Sequence, residues 1–199
     1  MDSNMLSAMS PLSGYTNTFQ DTSVREVSSL VILSVSVPLD GLSALNQKLN
    51  ELWQTCFPGT GQCTRIDRAR LQGLASSAEL YGLQLDQCFL VAEPADKSAR
   101  DIVSHIYDAL GPVAYLSDQS DSWAVLDIHG RLSLPALERI CMLDLDSMQS
   151  SHVARTTMEH LSVIVEKRDI DHLRLYSPRS SASSFLHAVT TSFQNVEEK

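Results

Sequence analysis

The stretch Ser117–Leu145, SDQSDSWAVLDIHGRLSLPALERICMLDL, constrains the fold more than any other part of this chain. Trp123, Ala124, Val125, Leu126 and Ile128 predict a strand buried on one or both faces, and Gly130 ends it. Ser133 can then cap a helix whose first turn accommodates Pro135, because the N–H groups of a first turn have no helical acceptor. Leu134, Leu137, Ile140 and Cys141 recur at three- and four-residue spacing and give that helix one apolar face. Asp127 is the only charge in the strand. A strand, a glycine turn and an amphipathic helix form a scaffold, with no polar cluster suited to chemistry.

At 199 residues, 43% of them hydrophobic, the chain suits one domain or two small lobes sharing a core. Its apolar runs, such as Cys88–Ala92 and Leu161–Val165, have strand length and cannot span a bilayer. The Ser- and Thr-rich opening lacks the basic start and apolar core of a secretion signal. It predicts a cytoplasmic protein with a partly disordered arm over residues 1–25. The net charge of −9 is spread along the chain, and an acidic chain with no basic stripe repels a phosphate backbone, so nucleic acid is excluded as a partner. Cys56, Cys63, Cys88 and Cys141 form no C-x-x-C pair, which argues for reduced thiols rather than zinc. Cys56 and Cys63 flank a Pro-Gly-Thr-Gly turn and could approach each other.

Along the chain, Ser29–Val37 reads as a strand closed by Pro38. Asp40 is placed to cap a helix to about Phe57, with Leu42, Leu45, Leu49 and Trp53 on one face. Residues 62–86 are less legible, with one strand placed between Leu71 and Tyr81. Cys88–Val91 reads as a central strand. Ser98 and Asp101 form a capping-box pattern before Ile102, Ile106 and Leu110, and Gly111-Pro112 supplies a left-handed stop. Val113–Leu116 and Ser122–Ile128 are expected to pair around SDQSD. Leu161–Glu166 and Leu173–Tyr176 alternate as a hairpin, and a last helix from about Ser181 carries Leu186, Val189 and Phe193. The order from residue 87, β-α-β-β-α-β, is the split β-α-β or ferredoxin-like signature. The expected organisation is therefore α+β, with a smaller β-α-β lobe over 26–82 and a ferredoxin-like lobe over 83–199.

Five segments, in order, resemble the gamma subunit of heterotetrameric sarcosine oxidase: DQCFLV (86–91), DQSDSWAVL (118–126), LERICMLDL (137–145), VART (153–156) and SPRSSASSFL (177–186). That family is related to the folate-binding aminomethyltransferase (T-protein, TrmE-like) domain. The resemblance covers roughly residues 80–195; earlier residues agree in plan rather than in letters. Two departures affect packing: Gly130-Arg131 stands where the family has Gly-Pro, and Cys88 where it has Trp. The resemblance implies a non-catalytic structural subunit packed with alpha, beta and delta partners, alpha most directly. The whole complex oxidatively demethylates sarcosine to glycine, passes the one-carbon unit to tetrahydrofolate and forms hydrogen peroxide. FAD, FMN, NAD and zinc are implied on the other subunits, with no cofactor in this chain.

The candidates for chemistry divide as follows. His152 and His160 straddle Arg155 but are eight residues apart and share no helical face. Asp118 and Asp121 lie in a turn, where short acids bond their own backbone; Asp127, and Asp144 with Asp146, read as structural in the same way. Arg155 and Arg179 sit in family-like motifs and are the expected subunit-interface or anion contacts, beside an internal salt-bridge role. Ser180-Ser181 next to Arg179 offer a helix start that could hold an anion or simply cap. With no phosphate loop, dinucleotide fingerprint or nucleophile elbow, no catalytic residue is expected here. Two other functions fit an α+β chain of this size: an autonomous folate-binding aminomethyltransferase-like protein, and a regulatory module for a small metabolite.

Overall fold

Two antiparallel sheets packed face to face are formed from strands that interleave along the chain. The structure, a computed structural model, describes residues 9–197. In chain order the strands are β1 (Thr16–Phe19), β2 (Thr22–Glu26), β3 (Val31–Ser36), β4 (Cys63–Ile66), β5 (Ala75–Gly82), β6 (Gln87–Pro94), β7 (Tyr115–Asp118), β8 (Trp123–His129), β9 (His152–Met158), β10 (Leu161–Asp169) and β11 (His172–Pro178). The helices are α1 (Leu42–Trp53), α2 (Ala99–Leu110), α3 (Ser133–Leu137) and α4 (Ala182–Glu197). One sheet has the order β4-β5-β6-β3-β7 and the other β1-β2-β8-β11-β10-β9.

Alternation along the strands builds four layers. Val31, Leu33 and Val35 of β3 turn toward α1 and α2, where Leu45, Leu49, Ile102 and Ile106 complete one core. Leu126, Val163, Val165 and Leu175 of the six-stranded sheet turn the other way, onto Phe185, Val189 and Phe193 of α4. Between the sheets lie Ile32, Tyr81, Phe89, Val91, Val125, Ile164 and Tyr176. The result is a mixed α+β sandwich, helix-sheet-sheet-helix. Among the described residues no helix is long and apolar enough to cross a membrane.

The α2 reading holds in detail. The Ser98 side chain accepts from the N–H of Asp101, the Asp101 carboxylate accepts from Ser98, and Ile102, Ile106 and Leu110 are buried. Its end differs: Gly111 is right-handed at φ −53°, and the N–H groups of Val113 and Ala114 both donate to the Leu110 carbonyl. At α1 the cap is Gly41, because Asp40 already stands at φ +58° outside the helix, and Leu42 is half exposed while Leu45, Leu49 and Trp53 are buried. Ser133 is the first residue of α3 rather than its cap, and its hydroxyl donates to the carbonyls of Gly130 and Asp171. On α4 the deepest side chain near Leu186 is Phe185.

Two larger expectations are corrected. The 113–116 and 122–128 strands do not pair; β7 joins β3, while β8 lies between β2 and β11. A single 3-10 turn at Ser120–Ser122, held by the Asp118 carboxylate on the Ser120 N–H and hydroxyl, carries the chain from one sheet to the other. No lobe boundary falls at 82/83 either, since β5 and β6 pair from Gly82↔Cys88 to Ala75↔Pro94. The ferredoxin-like arrangement lies earlier: β3-α1-β5-β6-α2-β7 with spatial order β7-β3-β6-β5 and β4 added at the edge. β-α-β-β-α-β can be read in overlapping frames here, and the pairing of β3 with β6 selects the first. Residues 1–8 of the expected arm lie outside the described residues, whereas 16–25 form β1 and most of β2, paired to each other and to β8.

Candidate functional site

The polar positions of the strands converge between the sheets. On β5, Ala78 and Leu80 belong to the helix-covered core, so Glu79 and Tyr81 point toward the other sheet. On β10 and β11 the same alternation sends Glu166, Arg168, Arg174 and Tyr176 to meet them. Across the six-stranded sheet, Arg25 pairs with Asp127, Asp127 with Arg174, and Arg174 with Glu166, one residue per strand with alternating charge.

Two hubs hold this layer. At the first, Arg168 reaches both carboxylates: Nη1 lies 3.0 Å from Glu79 Oε2 and 2.8 Å from Glu166 Oε1, and Nη2 lies 3.1 Å from Glu79 Oε1. Arg65 Nε donates to Glu79 Oε1 at 3.0 Å from the open side. Tyr81 donates to Glu166 Oε2 at 2.6 Å and lies 2.8 Å from the Tyr176 hydroxyl. At the second hub, Asp127 accepts from Arg174 Nε at 3.2 Å and from Arg25 Nη2 at 3.0 Å, with His172 Nε2 at 2.9 Å. Arg174 Nη2 also donates to Glu93 Oε1 on the facing sheet at 2.8 Å. Glu79, Glu166, Asp127 and Arg174 are each at most 4% exposed.

Burial and pairing act in opposite directions on these acids. Burial raises the Asp127 carboxyl, but His172, Arg174 and Arg25 outweigh it and hold the group well below the usual range. Glu79 is likewise desolvated, yet Arg168 and Arg65 lower it. Glu166 goes the other way: burial, with the Glu79 charge beside it, pushes it up to about 7 despite Arg168. The Cys63 thiol lies 3.9 Å from Glu166 Oε1, and burial with the two carboxylates keeps it protonated. Ligand atoms of Cys63, Glu79 and Glu166 lie within 4.8 Å of one another, a spacing a metal could use. The Arg168 guanidinium already occupies the space between the carboxylates, so the set is built for an arginine. With its central carboxylates buried and bonded to Arg168 and Arg174, the layer fastens the two sheets, and Arg25 and Arg65 reach it from the exposed edges.

The residues singled out in the sequence are dispersed. His152 opens β9, with Nδ1 3.4 Å from the Ser150 carbonyl, and His160 lies beyond the other end of that strand at φ +68°, roughly 20 Å away by strand rise. Arg155 is exposed on β9, its guanidinium 5.5 Å from the centre of the Phe89 ring. Arg179 Nη2 donates to the Met9 carbonyl, and Nη1 stands 3.8 Å from Asp121 Oδ1, so this arginine ties the first described residues to the end of β11. Asp144 caps the Ser147 N–H at 3.1 Å, while the Asp146 carbonyl accepts from the buried Lys167. Ser180-Ser181 lie in a 3-10 turn ahead of α4, and Cys56 and Cys63 are both free thiols. Of the named candidates only Asp127 belongs to the charged layer. Glu79, Tyr81, Glu166, Arg168 and Arg174 carried no motif; their signal was a polar side chain at alternate positions of β5, β10 and β11, out of phase with the apolar residues that face the helices.

No described protein family matches the chain, and no curated protein sequence does. Solved structures do. A chain of heterotetrameric sarcosine oxidase from Corynebacterium sp. U-96, solved with pyrrole 2-carboxylate, superposes with a TM-score of 0.71 at 19% identity, over 91% of this chain and 88% of that one. The two share a fold. Aminomethyltransferase T of the glycine cleavage system from Bartonella henselae matches with a TM-score of 0.63 at 14% identity, over 82% of this chain but only 44% of that one. The sarcosine oxidase chain and the present one are thus matched nearly end to end, whereas this chain spans less than half of the aminomethyltransferase.

Proposed function

We propose that the chain is the gamma-type, non-catalytic structural subunit of a heterotetrameric sarcosine oxidase. It assembles with alpha, beta and delta partners in the cytoplasm, and its companions carry FAD, FMN, NAD and zinc. In this reading the complex demethylates sarcosine to glycine, hands the one-carbon unit to tetrahydrofolate and produces hydrogen peroxide. The observation that carries the proposal is mutual coverage, 91% of this chain against 88% of a chain taken from such a heterotetramer. The charged layer supports it, because ion pairs beside the apolar inter-sheet cluster tie the two sheets into one block.

Co-expression of the tagged chain with alpha, beta and delta chains tests this. The expected product is a yellow complex several times the mass of this 21.9 kDa chain that turns over sarcosine. A colourless monomer that instead binds tetrahydrofolate stoichiometrically would overturn the proposal in favour of the autonomous folate protein.

A further inference from the structure

Apolar side chains that a lone protein would bury collect at one end of the five-stranded sheet. Ser36 pairs with Gln87 on one side and with Tyr115 on the other, so the end of β3 and the starts of β6 and β7 lie side by side. Two hydrogen-bonded turns project there. The Gly41 N–H donates to the Pro38 carbonyl at 2.8 Å around Leu39-Asp40, and the Gln84 N–H donates to the Gln87 carbonyl at 3.0 Å around Leu85-Asp86. The Val37 N–H, bonded to the Asp86 carbonyl at 2.8 Å, ties one turn to the other. Each turn presents a leucine followed by an aspartate. Leu39 is 94% exposed, Leu85 90% and Tyr115 69%, and with Leu42 they account for four of the eight large apolar side chains exposed among the described residues.

The charge around this patch has one sign. Asp40 and Asp86 lie in the two turns themselves and Asp108 in the last turn of α2, and no Lys or Arg occurs in residues 26–47, 71–96 or 101–130. A second copy of the chain laid on the patch would bring like charges together, because a two-fold contact matches each surface to itself. A partner with an apolar centre and a lysine or arginine rim satisfies both features. Because the turns are closed by backbone hydrogen bonds, Leu39 and Leu85 are held ready for such a partner.

We propose that the Leu39–Leu85–Tyr115 patch is the surface by which this chain docks onto a non-identical subunit bearing a basic-rimmed apolar face. The inference rests on the oxidase-subunit reading and adds the surface. Its test compares three full-length forms co-expressed with the alpha, beta and delta chains: wild type, Leu39→Ser/Leu85→Ser, and Asp86→Lys/Asp108→Lys. All changed residues are exposed, so the isolated variants should melt as wild type does. The serine variant should lose at least tenfold in recovered complex, and the lysine variant should lose affinity most at low salt. Wild type and both variants assembling alike would overturn the docking surface and leave the subunit reading standing. A wild type that assembles with nothing would remove both. Tighter assembly of the lysine variant would reject the basic rim, and self-association of isolated wild type abolished by the serine changes would make a second copy the occupant.

Discussion

Glu166 is the residue on which the electrostatics of the molecule turn. It is 1% exposed, accepts from Tyr81 and Arg168, and has the Glu79 carboxylate as a neighbour. Its folded pKa of about 7 lies above its ordinary value of 4.5, so between those limits the folded state holds more proton than the unfolded one. From this group, stability is greatest below pH 4.5 and declines as pH rises toward 7, by at most ~1.4 kcal/mol per pH unit. Urea midpoints from pH 5 to pH 7.5 should therefore fall in wild type relative to Glu166→Gln, and parallel curves would contradict the assignment. Asp127 and Glu79 contribute in the opposite sense, but their lowered pKa values place that loss at pH below the usual carboxylate range, outside this window. Arg168→Met leaves two buried carboxylates sharing no guanidinium and should destabilise by ~3–5 kcal/mol at pH 8. The loss should shrink at pH 5, where Glu166 is protonated; equilibrium denaturation at both pH values checks it.

At the scale of elements, α2 is the clearest case of a sequence specifying its own structure. The Ser98–Asp101 capping box satisfies orphan N–H groups at its start, and Ser98→Ala should cost about 1 kcal/mol, read as a lowered melting temperature with an unchanged fold. Local chemistry also made β3, β10, β11 and α4 legible, because each has one strongly apolar face. Partner choice was not legible. The SDQSD segment looks like a hairpin turn, yet Asp118 uses it to redirect the chain between sheets, and nothing in β7 or β8 alone states which neighbour each will take. The charged layer was hidden for a related reason. In LRLY (173–176) the arginine alternates with leucines as it would in a strand facing water, and only the presence of a second sheet turns that face inward. Asp127, noted as the only charge of its strand, was the one visible member.

For the whole molecule, the alternating row Arg25–Asp127–Arg174–Glu166 does what an apolar interface alone would not. It fixes the register of four strands, because a slip by one residue would oppose charge to hydrocarbon. The Arg174–Glu93 and Arg168–Glu79 pairs extend that registration to the facing sheet. A chain whose two sheets are locked in this way presents Leu39 and Leu85 as fixed points on a rigid body. The interleaved topology also orders events in time. The five-stranded sheet is complete once residue 118 has been made, but the six-stranded sheet needs β1 and β2 from the start of the chain and β11 from near its end. During synthesis, then, the amino-terminal hairpin must wait through the 96 residues between β2 and β8, and the five-stranded sheet must carry Glu79 with Arg65 as its one guanidinium partner until Arg168 emerges.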